Sequence, residues 1–244
     1  MQKRVTFKNS KGQRLVGVLQ IPNQKTNKAV IVCHGFTANK DRKRLVKVST
    51  SLTKNGLTAL RFDFGGSGQS QKRPITLKAQ VDDLKSAINF LRKEGYRSIG
   101  LLGESFGGLT VIKTYSKRIQ SIVLWAPVTT PSFSKFSKES IVKELEKNRF
   151  LKLKKDNRIF IIPRKYLKER LSFNQKDILS KISIPALVIH GDKDDDVPLG
   201  HSKRAIKYLS KGSKLTIIKG GDHKMDNKMD KVIPLTVDWF KKYL

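Results

Sequence analysis

A serine, an aspartate cluster and a histidine each follow an apolar run in this chain, and side chains of these three types can do nucleophilic chemistry together. Ser105 lies in Gly103-Glu104-Ser105-Phe106-Gly107, a G-x-S-x-G pattern that suits a nucleophile elbow. The apolar run 99–102 leads into it, and Leu109, Val111, Ile112 and Tyr115 follow at helical spacing. This spacing predicts strand, sharp turn and helix, with the serine at the apex. Glycine is needed at the flanks because side chains there would collide with neighbouring backbone. The turn also puts the Phe106 N–H at a helix start, where it can face an oxyanion.

A neutral hydroxyl needs a base, and the base needs a carboxylate to fix its tautomer. There are four histidines. His223 follows the last predicted strand in a loop long enough to swing over the serine, so it fits the base. His34 is expected to hold a loop at the sheet edge. His190 is expected to be buried or structural, and His201, opening a helix, to lie on the surface. The acid must come from the cluster Asp192, Asp194, Asp195 and Asp196, and the residues alone leave open which. With His201 this cluster could also be read as a hard-cation site. The EF-hand pattern is absent and Val197-Pro198 interrupts the run, so neither a metal nor another cofactor is expected.

The elements that must position these groups alternate. Residues 2–8 and 13–21 read as an antiparallel hairpin around Asn9-Ser10-Lys11-Gly12. Buried strands are expected at 29–33, 57–64, 99–102, 121–125, 186–189 and 214–218, with helices at 45–52, 77–93, 205–209 and 233–243. Cys33 falls in the first buried run and reads as a core thiol. The glycine-rich stretch 63–70 is not followed at once by a helix, so it is a poor phosphate cradle. From residue 131 to 182 the alternation is lost. A short helix around Ile141, Val142 and Leu145, a hairpin about Asp156-Asn157 and a second helix at 166–171 give this stretch its own structure. Strand–helix alternation predicts an α/β class, with a mainly parallel doubly wound sheet. Ligands then sit beyond the carboxyl ends of the strands, where His34, Asp63, Ser105, the aspartate cluster and His223 should gather.

With 244 residues the chain is long enough for one sizeable domain. One cysteine excludes an intrachain disulfide framework, and no apolar run approaches membrane-spanning length; a soluble, cytoplasmic protein is expected. The net charge of +31 comes mostly from lysine spread along the whole chain. Without zinc spacings, arginine-rich runs or aromatic RNA-binding motifs, it reads as a solvated coat open to non-specific polyanion contact, with no specific nucleic-acid partner.

The chain resembles the α/β-hydrolase superfamily, in particular its compact serine esterases of the cinnamoyl/feruloyl esterase and monoacylglycerol-lipase-like type. The resemblance covers nearly the whole chain. It is carried by His34-Gly35-Phe36, the D-x-x-G-x-G-x-S run 63–70, the elbow 103–107, the G-x-x-D-x-x-V-P run 191–198 and Gly221-Asp222-His223. It implies an α/β-hydrolase fold with an N-terminal antiparallel hairpin, a core of residues 1–130 and 183–244, and an inserted lid at 131–182. It implies Ser105 as nucleophile, Asp194 as orienting acid and His223 as base, with the Phe36 and Phe106 N–H groups as the oxyanion hole. Glu104 departs from the family pattern, where histidine is common, at a position expected to face away from the substrate. The activity implied is cleavage of a small-molecule carboxylic ester through an acyl-enzyme. A thioesterase, or a peptidase or amidase, on the same triad are the enzymatic alternatives. A non-catalytic polyanion-binding module is the alternative of another class. On this reading some of the apolar side chains of the insert, Phe133, Phe136, Phe150, Leu151, Phe160 and Ile161, pack on the hairpin itself and others line an acyl pocket above the serine, while the core supplies the chemistry.

Overall fold

The computed structural model describes residues 1–131 and 139–244. The elements run β1 (Gln2–Lys8), β2 (Arg14–Gln20), β3 (Lys28–Cys33), α1 (Lys43–Lys54), β4 (Thr58–Asp63), α2 (Leu77–Lys93), β5 (Ser98–Glu104) and α3 (Phe106–Thr114). They continue with β6 (Ser121–Trp125), α4 (Glu139–Lys147), β7 (Phe150–Lys155), β8 (Arg158–Pro163), α5 (Arg164–Leu171) and α6 (Gln175–Leu179). The chain closes with β9 (Ala186–Gly191), α7 (Gly200–Ala205), β10 (Lys214–Ile218) and α8 (Met229–Tyr243).

Eight strands form one sheet in the order β1-β2-β4-β3-β5-β6-β9-β10. β1 and β2 are antiparallel to each other and β2 to β4; every other neighbouring pair is parallel. Successive side chains of a strand point to opposite faces, and the interior strands are buried on both. Ile31, Leu101, Leu124 and Val188 pack with α2 and α3 on one face. Their neighbours Val32, Leu102, Val123 and Leu187 pack with α1 and α8 on the other. That is why the interior runs read as continuously apolar. From β3 the chain moves to β4 on one side and then to β5 on the other. The crevice between the carboxyl ends of β3 and β5 is therefore the switch point where ligands bind in such sheets.

The second sheet is the hairpin β7-β8. Its two-residue loop is Asp156-Asn157, both at positive φ (48° and 56°), as a hairpin turn requires. This register sets Leu151 opposite Ile162 and Leu153 opposite Phe160. The inward residues are therefore Leu151, Phe160 and Ile162, which form a small core with Ile75, Leu145 and Leu167. Phe150 and Ile159 are exposed and Ile161 is half-buried. Of the candidates for the pocket, Leu151 lines the cavity and Phe150, Phe160 and Ile161 do not; the Ile161 carbonyl accepts the Ile75 N–H at 2.9 Å. Phe133, Phe136 and the Ile141 side chain lie outside the described residues.

Two further expectations are corrected. The helix placed at 205–209 starts directly after Pro198 and covers Gly200–Ala205. His201 is buried, not on the surface, because α7 packs against the loop after β6. Its ring meets the Thr130 hydroxyl and its carbonyl accepts from Thr129 Oγ1 at 3.0 Å. Burial, aided by the Arg170 and Arg204 charges, pulls its pKa down to about 4.

The elbow is packed backbone against backbone. A Cβ on Gly107 would lie 2.7 Å from the Cys33 carbonyl and 2.5 Å from that of His34, both backbone atoms with no room to give. Gly107→Ala should lower the unfolding free energy by about 1–3 kcal/mol, read as a drop in the urea midpoint. An unchanged midpoint would contradict this account of the elbow.

Candidate active site

Ser105 caps α3 at φ 54°, ψ −118°, a conformation that costs a non-glycine residue on the order of 1–3 kcal/mol. Its surroundings hold it there. The Ser105 N–H donates to the Trp125 carbonyl at 2.8 Å, and the Ser105 carbonyl accepts from Gly108 and Val128. A Cβ on Gly103 would meet the Gly107 carbonyl at 2.7 Å, so the flanking glycines are steric necessities.

His223 follows β10 and is set by two aspartates. Asp192 accepts the Gly220 N–H at 2.7 Å, and Asp222 accepts the Met225 N–H at 2.6 Å. The imidazole then spans two partners: Nε2 lies 3.0 Å from Ser105 Oγ and Nδ1 lies 2.8 Å from Asp194 Oδ2. Within the aspartate cluster, Asp194 is the member that meets His223 among the described residues. Asp195 is exposed, and Asp196 lies at the rim of the cavity. Asp194 Oδ1 accepts the N–H groups of Asp196 and Val197 at 2.9 and 2.8 Å. Its Oδ2 also receives His190 Nε2 at 2.9 Å. Burial alone would raise its pKa, but these hydrogen bonds and the His223 charge hold it well below the usual carboxylate range. His190 was expected to be structural; its bond to the acid was not foreseen, although the i, i+4 spacing with Asp194 was visible.

Burial works against a charged His223. The hydrogen bond and charge of Asp194, with Glu104 and Asp196 beyond, outweigh it and raise the pKa above the ordinary histidine value. Glu104 does not face away from the site. It lines the cavity and pairs with the buried Arg44 guanidinium, which also reaches Asp226 at 3.5 Å.

The loop after β3 crosses close to the serine: a Cβ on Gly35 would sit 3.3 Å from the Ser105 Cβ. His34 holds it as expected, donating Nδ1–H to the Gly35 carbonyl at 2.8 Å and accepting the Phe64 N–H on Nε2 at 3.1 Å. Asp63, fully buried, accepts the Lys40 N–H at 2.8 Å and Lys40 Nζ at 3.1 Å. Phe36 stands edge-on to Phe106, with ring centres 5.9 Å apart. Above Ser105 lies a cavity of about 660 Å³. Phe36, Leu145, Leu151, Leu153, Ile162 and Tyr166 are among its apolar lining, and basic side chains such as Lys43, Lys47 and Lys224 line it together with Glu104, Asp196 and Asp226. Among the described residues no group of three or more His, Cys, Asp or Glu could hold a metal ion, and no helix is long and apolar enough to cross a membrane.

Residues 24–178 match the family described as serine aminopeptidase, S33. The chain is 24% identical over 176 residues to the uncharacterized protein YfhR of Escherichia coli (strain K12), a match covering 70% of this chain and 55% of that protein. It is 25% identical over 193 residues to the serine hydrolase BPHL of Mus musculus, covering 72% and 66%. The chain thus spans little more than half the length of YfhR. Among solved structures it superposes on ferulic acid-bound Est1E from Butyrivibrio proteoclasticus with a TM-score of 0.83, 23% identity and 98% of both chains covered. It superposes on the α/β hydrolase GrgF from Penicillium sp. sh18 with a TM-score of 0.84, 19% identity, and 100% and 99% coverage. The fold is that of the α/β hydrolases.

The electrostatics of His223 can be checked directly. Glu104→Gln removes one negative charge that raises the imidazole pKa and leaves the Arg44 cation in place. Both changes disfavour the imidazolium, so the His223 pKa, read by NMR titration, should fall. A constant or higher pKa would remove Glu104 from this network.

Proposed function

The chain belongs to the serine aminopeptidase S33 family of serine hydrolases, and we propose that it hydrolyses carboxylic esters through an acyl-enzyme on Ser105. The observation that carries this is the unbroken hydrogen-bond chain Ser105–His223–Asp194 beneath an apolar-walled cavity. In this reading His223 Nε2 takes the Ser105 hydroxyl proton as Oγ attacks the ester carbonyl. Ionised Asp194 holds the Nδ1 tautomer and stabilises the imidazolium. The Phe36 and Phe106 N–H groups donate hydrogen bonds to the developing oxyanion. The tetrahedral adduct collapses, its C–O bond to the alcohol breaks, and His223 returns the proton to the leaving oxygen. A water molecule then enters, its oxygen adds to the acyl carbonyl as His223 takes its proton, and the C–Oγ bond breaks as His223 returns that proton to Ser105 Oγ, releasing the acid and the free enzyme.

Physical chemistry favours an ester over the aminopeptidase substrate in the family's name. A free amino terminus is a cation and needs an anionic receptor near the nucleophile. Here Glu104 and Asp226 are already paired with Arg44 and Asp156 with Arg42, and among the side chains lining the cavity the cations outnumber the carboxylates. We take residues 131–182 as a lid whose apolar side chains Leu145, Leu151 and Leu153 shape a pocket for a bulky or aromatic acyl group. The likeness to a fold that binds ferulic acid in Est1E supports that size of ligand.

The test is a panel of p-nitrophenyl esters of increasing acyl size beside aminoacyl p-nitroanilides. Esters should turn over and anilides should not; the reverse preference would make the chain an aminopeptidase. Ser105→Ala should abolish both turnover and fluorophosphonate labelling, and Asp194→Asn should cost about 10⁴-fold in kcat, as the same change does in serine proteases. Leu153→Trp, which fills the cavity, should lower kcat/KM for the bulkiest esters relative to acetate by about 10-fold or more. Equal losses across the panel would separate the cavity from acyl selection.

A further inference from the structure

Among the described residues, the insert touches the segment between β3 and α1 through Tyr166, Lys155 and Asp156, and the first two contacts fall on Phe36 and Thr37. From α5, the Tyr166 ring stacks on Phe36 at 5.0 Å with 20° between the planes, and meets Phe106 edge-on at 5.4 Å. From β7, Lys155 Nζ donates to Thr37 Oγ1 at 3.2 Å, and that hydroxyl donates to the Phe36 carbonyl at 2.7 Å. From the hairpin turn, Asp156 pairs with Arg42 at 2.7 Å. Thr37 between them has φ 53°. For a β-branched residue this left-handed conformation is a true outlier and persists only where neighbours impose it. Below the loop, Asp63 and His34 fix its two ends, at Lys40 and Gly35. Within the loop the Ala38 N–H donates to the Gly35 carbonyl at 3.2 Å, and Phe36 packs on the core cluster that holds Ile75 as well as on Phe106; the insert adds the Tyr166 and Lys155 contacts.

We propose that Tyr166 and Lys155 are positioning residues of the oxyanion hole: the insert holds the Phe36–Thr37 peptide in its strained form and aims the Phe36 N–H at the position above Ser105. The proposal rests on the reading of Phe36 and Phe106 as oxyanion donors. It departs from the expectation that the insert serves acyl selection alone. A backbone donor contributes to turnover only while its aim is fixed before reaction. A loop at positive φ that loses its clamp relaxes, because the relaxed form is lower in energy. The same Tyr166 ring contacts both donor residues, so one side chain from the insert sets the spacing between them. The chemistry of even the smallest ester therefore depends on the insert being seated.

The discriminating substrate is p-nitrophenyl acetate, which leaves the acyl wall almost unused. Tyr166→Ala should lower its kcat by about 10- to 100-fold, a part of the effect of losing a whole oxyanion donor, with KM within about twofold. Affinity for a trifluoromethyl ketone, which forms an oxyanion on the serine, should fall by the same factor as kcat. Tyr166→Phe, which keeps the ring, should stay within about threefold of the parent. Ile159→Ser, on the outer face of the same hairpin, should leave acetate turnover unchanged. Full acetate kcat and full ketone affinity in Tyr166→Ala would overturn the proposal, as would a loss confined to KM. An equal loss in Tyr166→Phe would assign the effect to the hydroxyl and overturn the stacking argument. Should Tyr166→Ala fail to fold by circular dichroism, Lys155→Met decides by the same kcat and ketone criteria. Ser105→Ala separates the two levels. If it still hydrolyses acetate, the underlying triad reading fails; if it is dead while the Tyr166 and Lys155 variants are fully active, the clamp alone fails.

Discussion

Ser105 is held at a positive φ in the centre of a parallel sheet, and the rest of the site is built around the room that this conformation needs. The residue is pinned to β6 by its N–H, and its carbonyl is shared by Gly108 and Val128. Gly103 and Gly107 leave no space for a side chain on either flank. Because α3 starts at Phe106, the backbone after the serine enters a helix at once, and its first N–H groups have no partner within the helix. Because β3 is the neighbour of β5, the loop after β3 must cross beside the serine. Glycine at position 35 lets it come close. A single strained residue thus fixes where the Ser105 hydroxyl stands and, in the proposed mechanism, where the oxyanion donors must be.

The charge pattern runs against the character of the whole molecule. The chain carries +31, yet negative charge gathers around His223: Asp194 in contact, Glu104 and Asp196 further off. A buried imidazole would ordinarily resist protonation. Here the cost is offset by a carboxylate that receives four hydrogen bonds, from His190, His223, Asp196 and Val197. Those donors keep Asp194 ionised, as the role proposed for His223 requires. The buried Arg44 balances Glu104 on the cavity side, so the negative cluster does not accumulate without limit.

What could be seen in the sequence was what local physics decides. α2 was bounded correctly because Thr76 caps its start through the Ala79 N–H and Gly95, at φ 93°, follows its end. The turn at Asp156-Asn157 was visible because few other pairs tolerate two positive φ values. The strand-end positions of Ser105, Asp194 and His223 followed from the alternation of elements. What was hidden depended on contacts distant in sequence. His201 reads as a helix-opening surface residue until α7 meets Thr129 and Thr130. The inward face of β8 is Phe160 and Ile162 and not Ile159 and Ile161, because a two-residue turn pairs Leu153 with Phe160, and a shift of one residue exchanges the faces. Tyr166 gave no signal at all: one aromatic in an amphipathic helix announces burial, not the two phenylalanines it joins.

The central claim is that Ser105 forms a covalent acyl intermediate, and quenched-flow mass spectrometry of the intact protein tests it most directly. Mixed with a p-nitrophenyl ester and acid-quenched within the first turnovers, the protein should gain the mass of one acyl group. Proteolysis should place that group on the peptide carrying Ser105. Turnover with no adduct at any quench time, or an adduct mapped to Cys33 or a surface lysine, would contradict the account.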